Sequence, residues 1–225
     1  VLGLLLPEYG YAHCKVSYDF YHRYTADEHS LRMVHFLEEL ENTQNDLKEL
    51  SENYCQLSSK VLLKLSALLQ SIGKNKDLED PKERLKILSL ATEHLDLNPD
   101  ELKIVYFLID SAYLMIETAL HRDIHQAAVI ESFAKKVETL DKLNLLYLFS
   151  YAELRAVAPG TWTSWKKVLL SELYQRSRDY FKQPESLHSR SLTTWVEVYK
   201  ILHWEFPPED LEFHFNNIPE DYLAT

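Results

Sequence analysis

A few histidines and acids are the side chains of this sequence that could do chemistry. His121 and His125 lie four residues apart in HRDIH, a spacing that puts both imidazoles on one face of a helix, where a transition metal could bind. That stretch supplies no third ligand, so the pair alone does not define a metal site. His29 follows Asp27 and Glu28 at the start of a helical pattern. A core or helix-capping histidine would give the same pattern as a metal ligand there.

Glu153 stands in SYAELRAV, inside an otherwise apolar helical pattern. A carboxylate buried in such a helix costs free energy unless a cation, a metal or hydrogen bonds satisfy it. Arg155, Lys74 or Arg32 could do this without any catalysis. A structural carboxylate is therefore the simpler interpretation, and a ligand role is the alternative.

Composition and missing motifs exclude several classes of function. The sequence has no Gly-rich phosphate loop, no G-x-S-x-G elbow and no C-x-x-C pair. Its formal charge of -11 opposes binding to a phosphate backbone, so we expect no nucleic-acid partner. Cys14 and Cys55 are too few for a disulfide framework and predict reduced thiols in a cytoplasmic protein.

Few turn-forming residues and a high apolar content predict an all-α fold. The chain has 225 residues, 46% of them hydrophobic, with 4 glycines and 8 prolines. We expect one compact domain over 1–225, a bundle of about nine helices. No apolar run approaches the ~20 residues that span a bilayer, so we expect no membrane association. The chain begins at Val1 rather than Met, which suggests a segment of a longer multidomain protein, although a processed terminus would look the same.

Capping residues predict where the helices that position these side chains begin. Thr25 with Glu28 has the pattern of a capping box. Asp80-Pro81 and Asn98-Pro99 each place a capping side chain before a first-turn proline, which predicts helices from about 81 and 99. Gly73 suits a helix end. ENTQNDLKELSEN, at 41–53, predicts an exposed polar segment.

Apolar residues at three- and four-residue steps indicate the buried helix faces. The predicted buried positions are Leu31, Val34, Leu37 and Leu40; Val61, Leu62, Leu65, Leu68 and Leu69; and Trp165, Val168, Leu169, Leu173 and Tyr174. The helix from 99 is predicted to run on toward Leu120. Further helices are predicted near 126–137, 141–157 and 191–203.

Several of these segments, read together, resemble one known family. They are LLPEYG near the start, YDFYHRYTADEHSLR, LSALLQSIGK, LHRDI, YAELRAVAPGTWTSWKKVLLSELY and IPEDYL. In this order and spacing they resemble the HD-type domain of bacterial protein-PII uridylyltransferases, which also remove uridylyl groups. The W-x-x-W-K-x-x-L-L run is specific for that family.

The resemblance implies an all-helical domain with a metal centre. In the family, the ligands come from a His in the DEH stretch, a His-Asp pair before I-G-K, and an Asp in A-D-x-R-A. Divalent ions held there activate the water that hydrolyses a UMP-tyrosine bond on the PII protein. Carried over by motif, His29 matches the first ligand and Glu153 stands where the last Asp is expected. Gln70 and Ser71 replace the middle pair.

Two further positions of the family pattern also differ in this chain. Asp80 lies near the place of another histidine, and Ser111 and Ala112 stand where a His-His pair is expected. Neutral side chains at the centre remove the charge that retains a divalent ion. We therefore predict a degenerate, metal-free and hydrogen-bonded pocket of His29, Gln70, Ser71 and Glu153, with no cofactor.

The first hypothesis for function is a pseudoenzyme domain with a structural, interaction or regulatory role in nitrogen signalling. The resemblance implies a bacterial cytoplasmic protein. Its expected partners are a PII-like signalling protein or the neighbouring nucleotidyltransferase and ACT domains of the same polypeptide. Whether the chain forms a homo-oligomer stays open at this point.

Two other hypotheses stand beside it. The first is a surviving uridylyl-removing phosphohydrolase in which His29, Glu153 and Asp80 bind Mn, Fe, Zn or Mg and Gln70 holds a water. The second is a non-enzymatic helical interaction module that uses exposed acids and the aromatic residues Tyr180, Trp195 and Trp204. Scattered positions for His29, Gln70, Ser71 and Glu153 would favour the module.

Overall fold

Helices are the only regular secondary structure among the residues that the structure describes. The structure is a computed structural model, and it describes residues 3, 6–15, 23–42, 47–73, 81–93 and 95–182. This confirms the all-α prediction. The helix predicted at 191–203 and the residues Trp195 and Trp204 lie outside the described ranges, as do Lys74 and Asp80.

The described residues contain the following helices, in chain order. A 3₁₀ helix, Pro7–Ala12, precedes α1 (Ala26–Glu39), α2 (Lys48–Gln56), α3 (Lys60–Gly73), α4 (Pro81–Glu93), α5 (Pro99–Asp110), α6 (Leu114–His121), α7 (Ala127–Val137), α8 (Leu140–Val157) and α9 (Ser164–Lys182). The predicted start near 99 and the helices near 126–137 and 141–157 are confirmed. Residues 74–80 lie outside the described ranges, so the helix end at Gly73 and the helix start near 81 stay predictions.

Of the three predicted side-chain caps, Asp80 lies outside the described ranges, and the other two had different outcomes. Asn98 Oδ1 accepts hydrogen bonds from the amides of Asp100 and Glu101, both at 3.0 Å, and Glu101 accepts from the Asn98 amide at 2.9 Å. This is a complete capping box. Thr25 is the N-cap of α1 but makes no side-chain cap. The predicted box there is wrong, and Glu28 pairs instead with Arg32, one turn further on, at 2.9 Å.

One prediction about helix extent is also wrong. The helix predicted to run from 99 to Leu120 is divided into α5 and α6 by a turn, where Ser111 leaves the helical region with φ -92° and ψ 13°. The Leu114 amide then bonds the Ser111 carbonyl at 2.9 Å. The polar segment 41–53 contains most of α2, which buries Leu50 and Tyr54. Two apolar residues one turn apart are enough to anchor a short helix.

The three predicted apolar stripes are confirmed in part. Leu37 and Leu40 are fully buried as predicted, whereas Leu31 is 44% exposed. Leu62 and Leu69 of α3 are buried as predicted, whereas Val61 is 74% exposed. Trp165 and Val168 are 61% and 60% exposed, whereas Leu173 and Tyr174 are buried as predicted. Much of a folded protein's surface is apolar, so apolar spacing alone does not decide which of two adjacent rows faces the core.

Residue contacts divide the chain into two compact units. The first unit, named unit 1, comprises Val1–Met115 and Asn144–Lys167. Within it, α3 packs against α1, α4, α5 and the 3₁₀ helix. Its core includes Leu69 and Ile72 of α3 with Val105 and Ile109 of α5. The central helix is thus the one that carries Gln70 and Ser71.

The second unit, named unit 2, comprises Ile116–Leu143 and Val168–Thr225. Its described part buries Ile130, Phe133 and Val137 of α7, and Leu173 and Tyr174 of α9. The assignment of 1–225 to one domain stays a prediction.

One stretch of the described residues is long and apolar enough to cross a membrane by length and composition. It is Pro99–His121, with 23 residues and a mean hydropathy of 1.3. The turn after Asp110 interrupts it, and Val105 and Leu108 are fully buried. A helix from a protein core passes the same test, so this stretch is weak support for a membrane span.

Candidate functional site

A buried hydrogen bond joins the first and last of the four predicted pocket residues. His29 lies in the first turn of α1 and is 3% exposed, and Glu153 lies near the end of α8 and is fully buried. His29 Nε2 and Glu153 Oε2 share a hydrogen bond of 3.0 Å across 124 residues of sequence. The carboxylate of Glu153 therefore has an imidazole as its partner, which the sequence alone did not predict.

Ser71 ties α3 to the same turn of α1. Its hydroxyl donates to the carbonyl of Ala26 and shares a hydrogen bond with the hydroxyl of Ser30, next to His29. Ser71 is 4% exposed, and Ser30 is fully buried. These contacts place the start of α1 directly against the end of α3.

Gln70 precedes Ser71 and is fully buried. Neither its amide oxygen nor its amide nitrogen has a hydrogen-bond partner among the described residues. A buried amide that lacks hydrogen-bond partners costs about 1–3 kcal/mol, so Gln70 is a position where this cost can be measured.

The other residues predicted from the sequence lie elsewhere. Ser111 and Ala112 belong to the turn between α5 and α6. His121 ends α6 and His125 follows in a turn, so the two do not share a helical face and the spacing argument for a metal is wrong. Within unit 2, His125 Nδ1 accepts a hydrogen bond of 2.8 Å from Arg176.

Unit 1 contains a cavity of about 310 Å³. Two of the residues that line it are close in sequence to His29 and Glu153. Arg32 is one turn after His29, and Arg155 follows Glu153 by two residues. Both line the cavity, together with Tyr24, Phe36 and Trp162. The cavity therefore combines two cationic groups with three aromatic rings.

Stacking on aromatic rings orients both guanidinium groups. The Arg32 guanidinium lies 3.8 Å from the ring centre of Tyr24, and that of Arg155 lies 4.5 Å from the ring centre of Phe36. Their ion pairs are half exposed: Arg32 with Glu28 at 2.9 Å and Arg155 with Glu39 at 3.9 Å. Such pairs are weak in water, so an anion in the cavity could compete for either cation.

The sequence did not predict this cavity. Arg32 and Arg155 were expected only as partners for Glu153, and no binding role was predicted for Tyr24, Phe36 or Trp162. A partial signal was present, because Arg32 and Phe36 are four residues apart and share a face of α1. The loop that supplies Trp162 could not have been placed from local patterns.

Fold and site together define an all-helical domain whose polar centre joins three helices that are distant in sequence. Similarity to known proteins assigns this domain. The chain is 32% identical over 231 residues to the bifunctional uridylyltransferase/uridylyl-removing enzyme of Zymomonas mobilis, a match that covers 99% of this chain and 24% of that relative. The enzyme of the same name from Vibrio atlanticus is 34% identical over 231 residues, with 99% and 26% covered. That of Nitrosococcus oceani is 34% identical over 185 residues, with 81% and 21% covered.

The chain is thus a homologue of one segment of the bifunctional uridylyltransferase/uridylyl-removing enzymes. It spans about a quarter of the length of these curated relatives. No family model matches the sequence, and no solved structure matches it. The resemblance inferred from the sequence motifs is confirmed at the level of this family.

Proposed function

We propose that this chain is a degenerate HD-type domain that recognises a ligand or partner without hydrolysing it. The carrying observation is the buried hydrogen bond between His29 and Glu153 at 3.0 Å. In this arrangement the imidazole and the carboxylate satisfy each other. Neither needs a metal ion to offset the cost of its burial.

The residues around this pair do not fit a divalent metal. Gln70 offers a neutral amide, and the hydroxyl of Ser71 is engaged with Ala26 and Ser30. Divalent ions in hydrolytic sites are held by several imidazole and carboxylate donors at about 2.0–2.2 Å. One imidazole and one carboxylate, bonded to each other, fall short of that set. We therefore derive no metal-dependent step for this pocket.

The cavity lined by Arg32 and Arg155 supports a binding role. Two stacked guanidinium groups suit an anionic group such as a phosphate, and Trp162 and Phe36 offer rings for a planar ligand. A uridylyl group, which has both parts, matches this chemistry. The relatives are named for adding and removing uridylyl groups. A uridylylated PII-like protein or a nucleotide-binding neighbouring domain in a bacterial cytoplasm is the proposed partner.

Hydrolysis is tested with a chromogenic aryl phosphodiester in the presence of Mn²⁺, Fe²⁺, Zn²⁺ or Mg²⁺. We expect no turnover above that of the His29→Ala variant. Turnover by the wild type that disappears in His29→Ala would overturn the proposal and favour a hydrolase with substitute ligands, among them Asp80. Because both proteins receive the same metals, ions bound elsewhere on the chain do not affect the comparison.

Restoring the missing donors gives a second test. The variant Gln70→His, Ser71→Asp, Glu153→Asp is expected to bind one more equivalent of Mn²⁺ than the wild type, measured by equilibrium dialysis. The control is Gln70→Asn, Ser71→Thr, which alters the same positions without adding a charge or an imidazole. Equal Mn²⁺ binding by the wild type and the restored variant would argue against a former metal centre here.

Ligand recognition is tested by titrating UMP into the chain and following tryptophan fluorescence. Arg155→Ala is expected to weaken binding by about tenfold, since one of two charge-assisted contacts is lost. The matched control is Arg176→Ala, an arginine of unit 2 that also pairs with a glutamate at 3.1 Å. Equal loss in both variants, or no saturable binding by the wild type, would remove the support that the cavity gives and favour a purely structural domain.

A further inference from the structure

Three potential metal ligands converge where the N-terminal segment meets the start of α1. They are His13, Cys14 and Asp27, each with a donor atom within 4.8 Å of the others. His13 Nδ1 lies 3.1 Å from Asp27 Oδ2, and Cys14 Sγ lies 3.5 Å from His13 Nε2. None of the three was assigned a role in the pocket or the cavity.

An imidazole binds one ion through one of its two nitrogens, so a single ion can use only one of these two His13 contacts. With one donor atom from each residue, the three donors lie within 4.8 Å of one another. With Zn–N and Zn–O bonds of about 2.0–2.2 Å and a Zn–S bond of about 2.3 Å, tetrahedral geometry separates the donors by roughly 3.3–3.8 Å. Rotation of the exposed His13 and Cys14 side chains must therefore bring the donors closer together when an ion binds.

Backbone contacts hold the two segments together in this geometry. The Ala26 amide bonds the Lys15 carbonyl at 2.8 Å, and the Tyr9 hydroxyl donates to the Asp27 carbonyl at 3.0 Å. The Cys14 amide donates to Asp27 Oδ2 at 3.2 Å. Cys14 itself is in the left-handed region with φ 52°, which turns the chain between His13 and Lys15.

The donor types select the metal. A thiolate, an imidazole and one carboxylate suit a borderline-soft ion, whereas Mg²⁺ and Ca²⁺ prefer all-oxygen sites. His13 and Cys14 are exposed, so solvent reaches the site. Three protein donors leave the fourth tetrahedral position to a water molecule.

We propose that His13, Cys14 and Asp27 form a zinc-class metal site that fastens the N-terminal segment of unit 1 to α1. The bound ion links His13 and Cys14, which follow the 3₁₀ helix, to Asp27 in the first turn of α1. This site is separate from the His29–Glu153 pair and does not depend on the function proposed for that pair.

The test is a titration of the full 225-residue chain with Co²⁺ and Zn²⁺ under reducing conditions without chelating buffers. We expect one equivalent of Co²⁺ with a thiolate-to-cobalt charge-transfer band, displaced by Zn²⁺. Cys14→Ser should abolish the band, and His13→Ala should weaken binding by roughly 100-fold, since one of three protein donors is lost.

Two matched controls locate the ion. Cys55→Ser changes the other exposed free cysteine, and His35→Ala removes an exposed histidine that pairs with a carboxylate, Glu39, at 3.2 Å. Both should bind like the wild type. The proposal is overturned if the wild type shows no thiolate band, if Cys14→Ser keeps wild-type affinity, or if Cys55→Ser loses the band. Co²⁺ bound at His29 and Glu153 would give no thiolate band and would survive Cys14→Ser, so failure here and failure of the proposed function are distinguishable.

Discussion

Unit 1 contains two groups of side chains that could bind a metal, and the two groups differ in burial. They therefore differ in whether an ion from solution can reach them. The group at His29 and Glu153 is buried, and its donors bond each other at 3.0 Å. The group at His13, Cys14 and Asp27 is largely exposed, and its three donor atoms lie within 4.8 Å of one another at the surface. Because the first group is buried and hydrogen-bonded, we expect it to stabilise the fold. Exposure leaves the second group open to an ion from solution.

The largest expected effect is the loss of the buried pair. Glu153→Ala should lower the free energy of unfolding by about 3 kcal/mol, because His29 keeps its buried imidazole without this carboxylate and a cavity opens in the core. Urea denaturation measures the change. In the control, Glu52→Ala, removal of an exposed carboxylate 3.7 Å from Lys48 should cost less than about 1 kcal/mol. Equal costs would mean that the buried pair is no more important than a surface contact.

A substitution of Gln70 is expected to raise the free energy of unfolding rather than lower it. Gln70→Met keeps the length of the side chain and removes two polar atoms that have no hydrogen-bond partner among the described residues. We expect a gain of about 1 kcal/mol in the free energy of unfolding, again from urea denaturation. Ser71→Ala, which removes bonds to Ala26 and Ser30, is the contrasting control and should destabilise the protein. A loss in Gln70→Met would show that the amide is satisfied in solution and that the pocket is a working polar site.

The hydroxyl of Tyr9, a buried residue of the 3₁₀ helix, donates a hydrogen bond to the carbonyl of Asp27 in the exposed group. Burial raises the pKa of its hydroxyl to about 12, and the charge of Asp27 adds to this rise. A pKa raised in the folded state favours the neutral form, so this contribution to stability is complete below pH 10 and declines as the pH rises toward about 12. Tyr9→Phe should therefore cost about 1 kcal/mol at neutral pH and less at pH 11, measured by urea denaturation at both values. A cost that does not change with pH would contradict the assignment.

The smallest effect is expected at Cys14. In the absence of metal, Cys14→Ser should change the free energy of unfolding by less than about 0.5 kcal/mol, because the side chain is exposed. With excess Zn²⁺, only the wild type should gain thermal stability, since an ion that binds the folded state alone stabilises it. A large cost without metal would place Cys14 among the structural residues and weaken the contrast between the two groups.

Local signals predicted most of the fold, and they failed where a distant or competing partner decided the outcome. Asn98 formed its capping box because all its partners lie within three residues. Thr25 formed no capping box, because Glu28 forms an ion pair with Arg32 on the next turn of the helix. Leu31 and Trp165 were wrongly predicted to be buried, because apolar spacing alone does not distinguish an exposed residue from a buried one.

The candidate site was predictable only in part for the same reason. His29 and Glu153 are 124 residues apart, so no local pattern connects them, and only the family resemblance placed them together. The exposed group depends on a turn at Cys14 with positive φ, which a non-glycine residue adopts only in a particular context. The arginine cavity needs the loop at Trp162, which tertiary packing positions.

The hydrogen bond between His29 and Glu153 also constrains the order in which the chain folds. It closes a loop of 124 residues, for which a flexible chain loses roughly 4 kcal/mol of entropy. During synthesis the partner from α8 emerges only after all of α1 to α7, so unit 1 cannot complete its centre until residue 153 has left the ribosome. Substitution at this pair should therefore accelerate unfolding and leave the refolding rate nearly unchanged in stopped-flow experiments. That result would mean that the pair forms after the other helices of unit 1 have assembled.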